Sequence, residues 1–152
     1  MDFVIKEMDQ LTGAKAHVYS VILDGDNDTL LEQFFEENKT HVSDLKKVIS
    51  KIVVMSQTTG CRRSFFKEGE GVWADGMVAL RNTGHLRLYG VYFNDTVILF
   101  GSGGYKPPGI RAYQDYPPLY EKAMQMRTIA KEITRRIMGG ELRVNDDGTL
   151  DE

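Results

Sequence analysis

The chain is short of several residue types, and each shortage narrows what it can be. Its 152 residues include one cysteine, Cys61, so no intrachain disulfide can form and no cysteine cluster can bind a metal. The three histidines, His17, His41 and His85, stand far apart in sequence. None forms a ligand-spaced pair with another histidine or with Cys61, which argues against zinc or any other metal. No run approaches the roughly 20 apolar residues of a membrane span. The N-terminus has neither the charged nor the apolar region of a secretory signal, so the expected compartment is the cytoplasm, with no membrane partner. An excess of positive charge is missing too: the formal net charge is -3, unlike that of a broadly basic nucleic-acid binder.

What is present fits an ordinary globular domain, with 41% hydrophobic and 27% charged residues. At this length one domain over 1–152 is expected, with its core at about 16–138. The charge is unevenly placed. Residues 61–113 hold seven Lys/Arg against four Asp/Glu, a balance of +3, which leaves -6 for the flanks. A basic centre in an acidic chain can focus a local positive field.

The pattern predicts a strand in "AHVYSVILDGD" (16–26), β-branched and aromatic and closed by Asp-Gly. Thr29 and Glu32 stand in capping-box spacing ahead of a helix that places Leu30, Leu31, Phe34 and Phe35 on one face. A second helix from about Val42 carries the stripe Val42, Leu45, Val48, Ile49, Ile52 and Val53, with Gly60 as its stop. Strands follow from Ser64 to Gly101. A third helix begins at the prolines 117–118, buries Leu119, Ala123, Met126, Ala130, Ile133 and Ile137, and ends at Gly139-Gly140. The last residues, 139–152, read as a short strand and a mobile acidic tail. This order gives an α+β fold: a mostly antiparallel sheet with one face covered by an N-terminal helical pair and a C-terminal helix.

Within the strands, "ALRNTGHLRLYGVYFNDTVILFGSGGYK" (79–106) mixes cations with apolar residues. A three-residue loop at 82–84, with Gly84 left-handed, pairs Arg81 with His85 and Val78 with Leu88. A two-residue turn at 94–95 pairs Tyr92 with Val97. Val78, Leu80, Leu86, Leu88, Tyr92, Val97 and Leu99 then form a core face. The opposite face collects Arg81, His85, Arg87, Tyr89 and Ser102, with Val91, Ile98 and Phe100 at its far end. Arginine offers bidentate donors to phosphate, tyrosine can stack on a base and histidine titrates near neutrality, so such a face suits an anion. The competing reading is a solvated face with ion pairs to Glu68, Glu70 or Asp75. Gly101, Gly103 and Gly104 allow a close approach, a bulge or a plain turn, or an anion-binding nest beside Lys106. A phosphate-binding P-loop does not fit, because no Lys-Ser/Thr pair follows the glycines.

The residues Leu80-Arg81, Arg87 with Tyr89, "TVILF" (96–100) and Lys106, followed by a helix, resemble the RelE/ParE toxin superfamily, closest to its HigB-like, phage-derived branch. The resemblance covers about residues 16–138. It implies a toxin-antitoxin component that cuts messenger RNA on the ribosome, without a metal or other cofactor. The ribose 2′-hydroxyl would attack the adjacent phosphate. Arg87 would bind phosphate, Lys106 would be the cation at the end of the last strand, and Lys67 would face the same groove, with Glu68 as a lesser proton acceptor. Tyr89 or Tyr105 would stack on a base, and His85, Arg81, Arg111 and Tyr113 would assist in binding. The implied partners are a cognate antitoxin, of helix-turn-helix type, together with ribosome and mRNA. The acidic balance, and Tyr105 where the family carries a first lysine of a pair, keep a second expectation open. This is a non-catalytic protein of the same fold acting by protein contacts, for example on a gyrase-type target. A small ligand under the glycine loop is the third.

Overall fold

The computed structural model describes residues 2–67 and 76–152. Glu68, Glu70 and Asp75, named above as a proton acceptor and as ion-pair partners, lie outside them. The chain begins with a strand that the pattern did not reveal, β1 (Phe3–Glu7), antiparallel to β2 (His17–Leu23). Two helices follow, α1 (Leu30–Glu37) and α2 (Val42–Val54), then β3 (Phe66–Lys67), β4 (Met77–Leu80), β5 (Leu86–Asn94) and β6 (Val97–Tyr105). The long helix α3 (Pro117–Met138) and a small hairpin, β7 (Arg143–Val144) with β8 (Leu150–Asp151), complete it. The sheet order is β1-β2-β6-β5-β4-β3. Only β2 against β6 is parallel among the described pairs, so the fold is α+β with a mostly antiparallel mixed sheet. The helical pair therefore follows a β-hairpin and does not open the chain.

Local chemistry explains the helix ends. Thr29 Oγ1 accepts from the Glu32 amide at 3.1 Å, and Glu32 Oε1 accepts from the Thr29 amide at 2.9 Å, closing the expected capping box. Hydrogen bonds to the carboxylate from the Thr29 amide and from the Thr29 side chain hold the Glu32 carboxyl below its ordinary value. Prolines occupy the first turn of α3, where an absent N–H costs nothing. Gly60, at φ 81°, ends the π-helical turn (Met55–Thr59) that extends α2.

Helices cover both faces of the sheet rather than one. On the first face α3 packs Leu119, Ala123, Met126, Ile129, Ala130 and Ile133 on Met77, Ala79, Tyr89, Val91, Val97 and Leu99. On the second, Val48 and Ile52 of α2 and Leu31 and Phe34 of α1 pack on Val78, Leu80, Leu86, Leu88, Ile98 and Phe100. The expected partition fails at β6 because the β5–β6 register is one residue off: Tyr92 opposes Ile98, and Asn94 opposes Val97 across a bulge. A single step sends Val97 and Leu99 to the α3 face and Ile98 and Phe100 to the α2 face. The β4–β5 register is two residues off, with Val78 opposite Gly90, and an even shift preserves the faces. Gly84 has the expected positive φ, 64°, but Asn82 shares it, and the connection is longer than three residues.

Burial also corrects two stripes. On α2 only Val48 and Ile52 are buried, while Val42, Ile49 and Val53 are exposed. Ile137, at the end of α3, is exposed as well. The C-terminal residues form no loose tail: Leu142 is buried, the Tyr19 hydroxyl donates to the Gly148 carbonyl at 3.2 Å, and Arg136 reaches Glu152 at 3.3 Å. Burial and the nearby Glu7 carboxylate push the Tyr19 hydroxyl up to about 12.

Cys61 is buried in the α2-side core, and desolvation, reinforced by the Asp95 carboxylate, pushes its thiol up to about 12 from an ordinary 9.0. The thiol stays neutral in the native protein, so alkaline solution favours unfolding as pH rises through 9 toward 12. Native protein at pH 8 is expected to leave Cys61 unreacted with a disulfide-exchange reagent and to release one equivalent only on denaturation. Rapid native reaction would contradict this burial.

Candidate functional site

Three pieces of chain meet at one end of the sheet: the N-terminus of α2, the turn between β4 and β5, and the end of β6. The meeting is held by Asp44, in the first turn of α2. Its Oδ2 accepts from the His85 amide at 3.0 Å, and its Oδ1 lies 3.6 Å from Lys47 Nζ. Gly84 is pressed against the same carboxylate, where any Cβ would collide with it. The left-handed φ favours glycine there, and a Cβ would displace the Asp44 carboxylate. On the other side the Lys106 amide donates to the His85 carbonyl at 2.7 Å, tying the end of β6 to the turn.

These bonds place three aromatic rings in a row. His41, at the N-cap position of α2, stacks on Tyr105 with centroids 4.3 Å apart and planes 7° from parallel. His85 lies on Tyr105 at 5.9 Å, tilted by 47°. Arg87 of β5 stands opposite Gly104 of β6, and its Nη1 donates to the carbonyls of Gly84 at 2.7 Å and Leu86 at 3.0 Å. Lys106 Nζ donates to the Arg111 carbonyl at 2.9 Å, so the side chain bends back over the 107–111 loop. Five of the residues singled out from the sequence, His85, Arg87, Tyr105, Lys106 and Arg111, are thus neighbours in the fold.

The other three are not. Tyr89 is fully buried, against Tyr113 at 6.4 Å, where no base can stack on it. It is a core residue of the α3 face. Lys67 pairs with Ala79, which pairs with Tyr89. Lys67 therefore shares a sheet face with Arg87 but stands two strands away, on the order of 10 Å across the sheet. Arg81 is exposed at the end of β4, and its Nε donates to the Phe66 carbonyl at 2.8 Å, fastening β3 to β4.

The glycine cluster is no nest. Gly101, Gly103 and Gly104 lie within β6 and none has a positive φ. A Cβ on Gly101 would come within 2.5 Å of Met126 Sδ of α3, and one on Gly103 would run into the Arg87 carbonyl and the Phe34 ring. Two of the glycines are therefore spacers that let helices and strand approach. The Ser102 hydroxyl between them donates to Gln125 Oε1. Nor does the start of α3 offer free amides: residues 117 and 118 are prolines, and the Leu119 amide already bonds the Tyr116 carbonyl at 3.1 Å.

Sequence reasoning missed His41 and Asp44. Both sit 40 or more residues from their partners, and the only local signal was a helix start at 42, which a histidine at the N-cap does not advertise. Among the described residues no group of three or more His, Cys, Asp or Glu converges as a metal site would require, and no helix is long and apolar enough to cross a membrane.

Fold and site together define an α+β domain with a titratable, cation-bearing cluster at one end of a mixed sheet. No protein-family model, curated protein or solved structure matches the chain.

Asp44→Ala removes an acceptor from the His85 amide and a contact from the turn. It is expected to cost about 0.5–1.5 kcal/mol, the net worth of a hydrogen bond whose donor water can reach, and to speed hydrogen exchange at the His85 amide. An unchanged exchange rate there would show that Asp44 does not hold the turn.

Proposed function

We propose that the protein is a toxin-like, metal-independent endoribonuclease of RelE/HigB type, working on ribosome-bound mRNA and held in check by an antitoxin. The observation that carries this reading is the ring contact His41–Tyr105–His85 on the α2 side of a sheet end whose strands also carry Arg87, on the opposite face of β5, and Lys106, next to Tyr105. RNA cleavage without a metal needs both proton-transfer groups and cations. The 2′-oxygen attacks the adjacent phosphorus, the bond to the 5′-oxygen breaks, and a 2′,3′-cyclic phosphate and a 5′-hydroxyl result. A base takes the 2′ proton and an acid returns one to the leaving oxygen. Histidine is the side chain best suited to either task at neutral pH. Here His85 is exposed and His41 partly so.

On this reading Arg87 and Lys106 balance the charge that grows on the phosphate. Each uses donors on nearby backbone carbonyls in the resting protein, and phosphate oxygens are stronger acceptors for both. From β2 onward the elements run strand, helical pair, antiparallel strands and closing helix, an order that supports the reading, with β1 standing ahead of it. The position of Lys67, two strands off, makes it a groove cation and not a member of the reacting cluster.

A second reading has its own support. Val42, Ile49 and Val53 leave an apolar stripe exposed on α2, as a protein that acts by contact alone would also need.

Induced expression separates the two. Growth arrest with transcript cleavage is expected, and Arg87→Ala, Lys106→Ala or His85→Ala should each reduce cleavage by about 10²–10⁴-fold, the range for losing one proton-transfer or charge-stabilising group. Arrest with intact transcripts would refute the nuclease reading and favour the contact reading.

A further inference from the structure

Beside the cluster lies a cavity of about 160 Å³, between the end of α1 and the start of α3. Its floor is Gly103 and Gly104, its lining includes Tyr105 and Tyr116, and Glu37 and Lys122 stand at its rim, 3.5 Å apart and half-exposed. Two wider hollows, about 220 and 250 Å³, sit along β1, away from Arg87 and Lys106. Drug-sized ligands need pockets of about 300 Å³ or more, so this one has room for a single ring system.

Gly104 is the telling residue. It has no positive φ, and a Cβ there would meet only Leu119 Cδ1 at 3.6 Å, an ordinary contact. Neither backbone nor packing requires glycine at 104, in contrast to 101 and 103. What the missing side chain does is leave a flat floor in the cavity. Gly104 also opposes Arg87, and its neighbour Tyr105 belongs to the stacked row. The cavity and the candidate phosphate site therefore share one strand end.

We propose that this cavity is a nucleobase subsite, selective for guanine, next to the phosphate held by Arg87 and Lys106. The proposal rests on the ribonuclease reading and names its base preference. Flat glycine backbone and tyrosine rings suit the face of an unstacked base. The rim sets the choice. Guanine alone of the four bases presents two adjacent N–H donors on its Watson–Crick edge, matching the two oxygens of the Glu37 carboxylate. Its O6, next along that edge, accepts from a cation, and Lys122 is beside Glu37 to supply one. Adenine would turn a lone pair toward the carboxylate, which strands an acceptor against an acceptor.

The test is a titration of the full chain with guanosine, adenosine and uridine 5′-monophosphates, followed by amide chemical shifts. Guanosine monophosphate is expected to bind at least tenfold tighter than the other two and to move Gly103, Gly104, Tyr105 and Lys122. Glu37→Gln should remove most of that preference. Gly104→Ala should weaken guanosine monophosphate about tenfold while leaving the melting temperature unchanged. Equal affinity for all three nucleotides, shifts confined to Arg87 and Lys106, or a neutral Gly104→Ala would overturn the subsite. The readout needs no turnover. Guanosine-selective binding by a chain that leaves transcripts intact supports the subsite and refutes the nuclease. Cleavage without base preference, with Glu37→Gln neutral, does the reverse.

Discussion

The squeeze on β6 is the constraint from which the rest follows. This strand lies inside the sheet, parallel to β2 on one side and antiparallel to β5 on the other, with helices pressed on both faces. At Gly101 the sulfur of Met126 takes the place of a side chain, and at Gly103 the Arg87 carbonyl and the Phe34 ring do. A side chain at 103 would drive β5 and the Phe34 ring of α1 off the strand, and one at 101 would require Met126 to move aside. Because the helices sit so close, the end of β6 emerges between the last turn of α1 and the first turn of α3. Tyr105 and Lys106 are delivered there to the N-terminus of α2 and to the 82–85 turn.

Rigidity at the site follows from the same arrangement. His85 is fixed through its backbone from two sides, by Asp44 from α2 and by the Lys106 amide from β6. Its ring remains exposed while its Cα is held, a combination that suits a proton-transfer group. Arg87 and Lys106 rest on carbonyl oxygens of neighbouring turns, so phosphate can compete for them without breaking any element of the fold.

Much of the fold was legible in local chemistry. The Thr29–Glu32 box, the start of α2, the prolines at the start of α3 and the left-handed Gly84 each carry their own short-range signal, and each formed as read. What could not be read was long-range or parity-dependent. A one-residue step at Asn94–Val97 inverted the faces of β6, since strands alternate with a period of two. The continuous burial of Met77–Leu80 was a sign of a sheet covered on both sides, and the cations nearby masked it. Tyr89 read as a surface ring for that reason. At the site, Arg87 and Lys106 carried a motif, whereas His41 and Asp44 became visible only when α2 docked against the turn.

If the sheet end acts on RNA as proposed, the products record which atom attacked. Sequencing of the 3′ ends left on transcripts after induction is therefore the most direct measurement. The account predicts 2′,3′-cyclic phosphate ends that appear with the wild-type chain and vanish with Lys106→Ala. Cleaved transcripts with 3′-hydroxyl ends, or cyclic ends that persist in that variant, would contradict it.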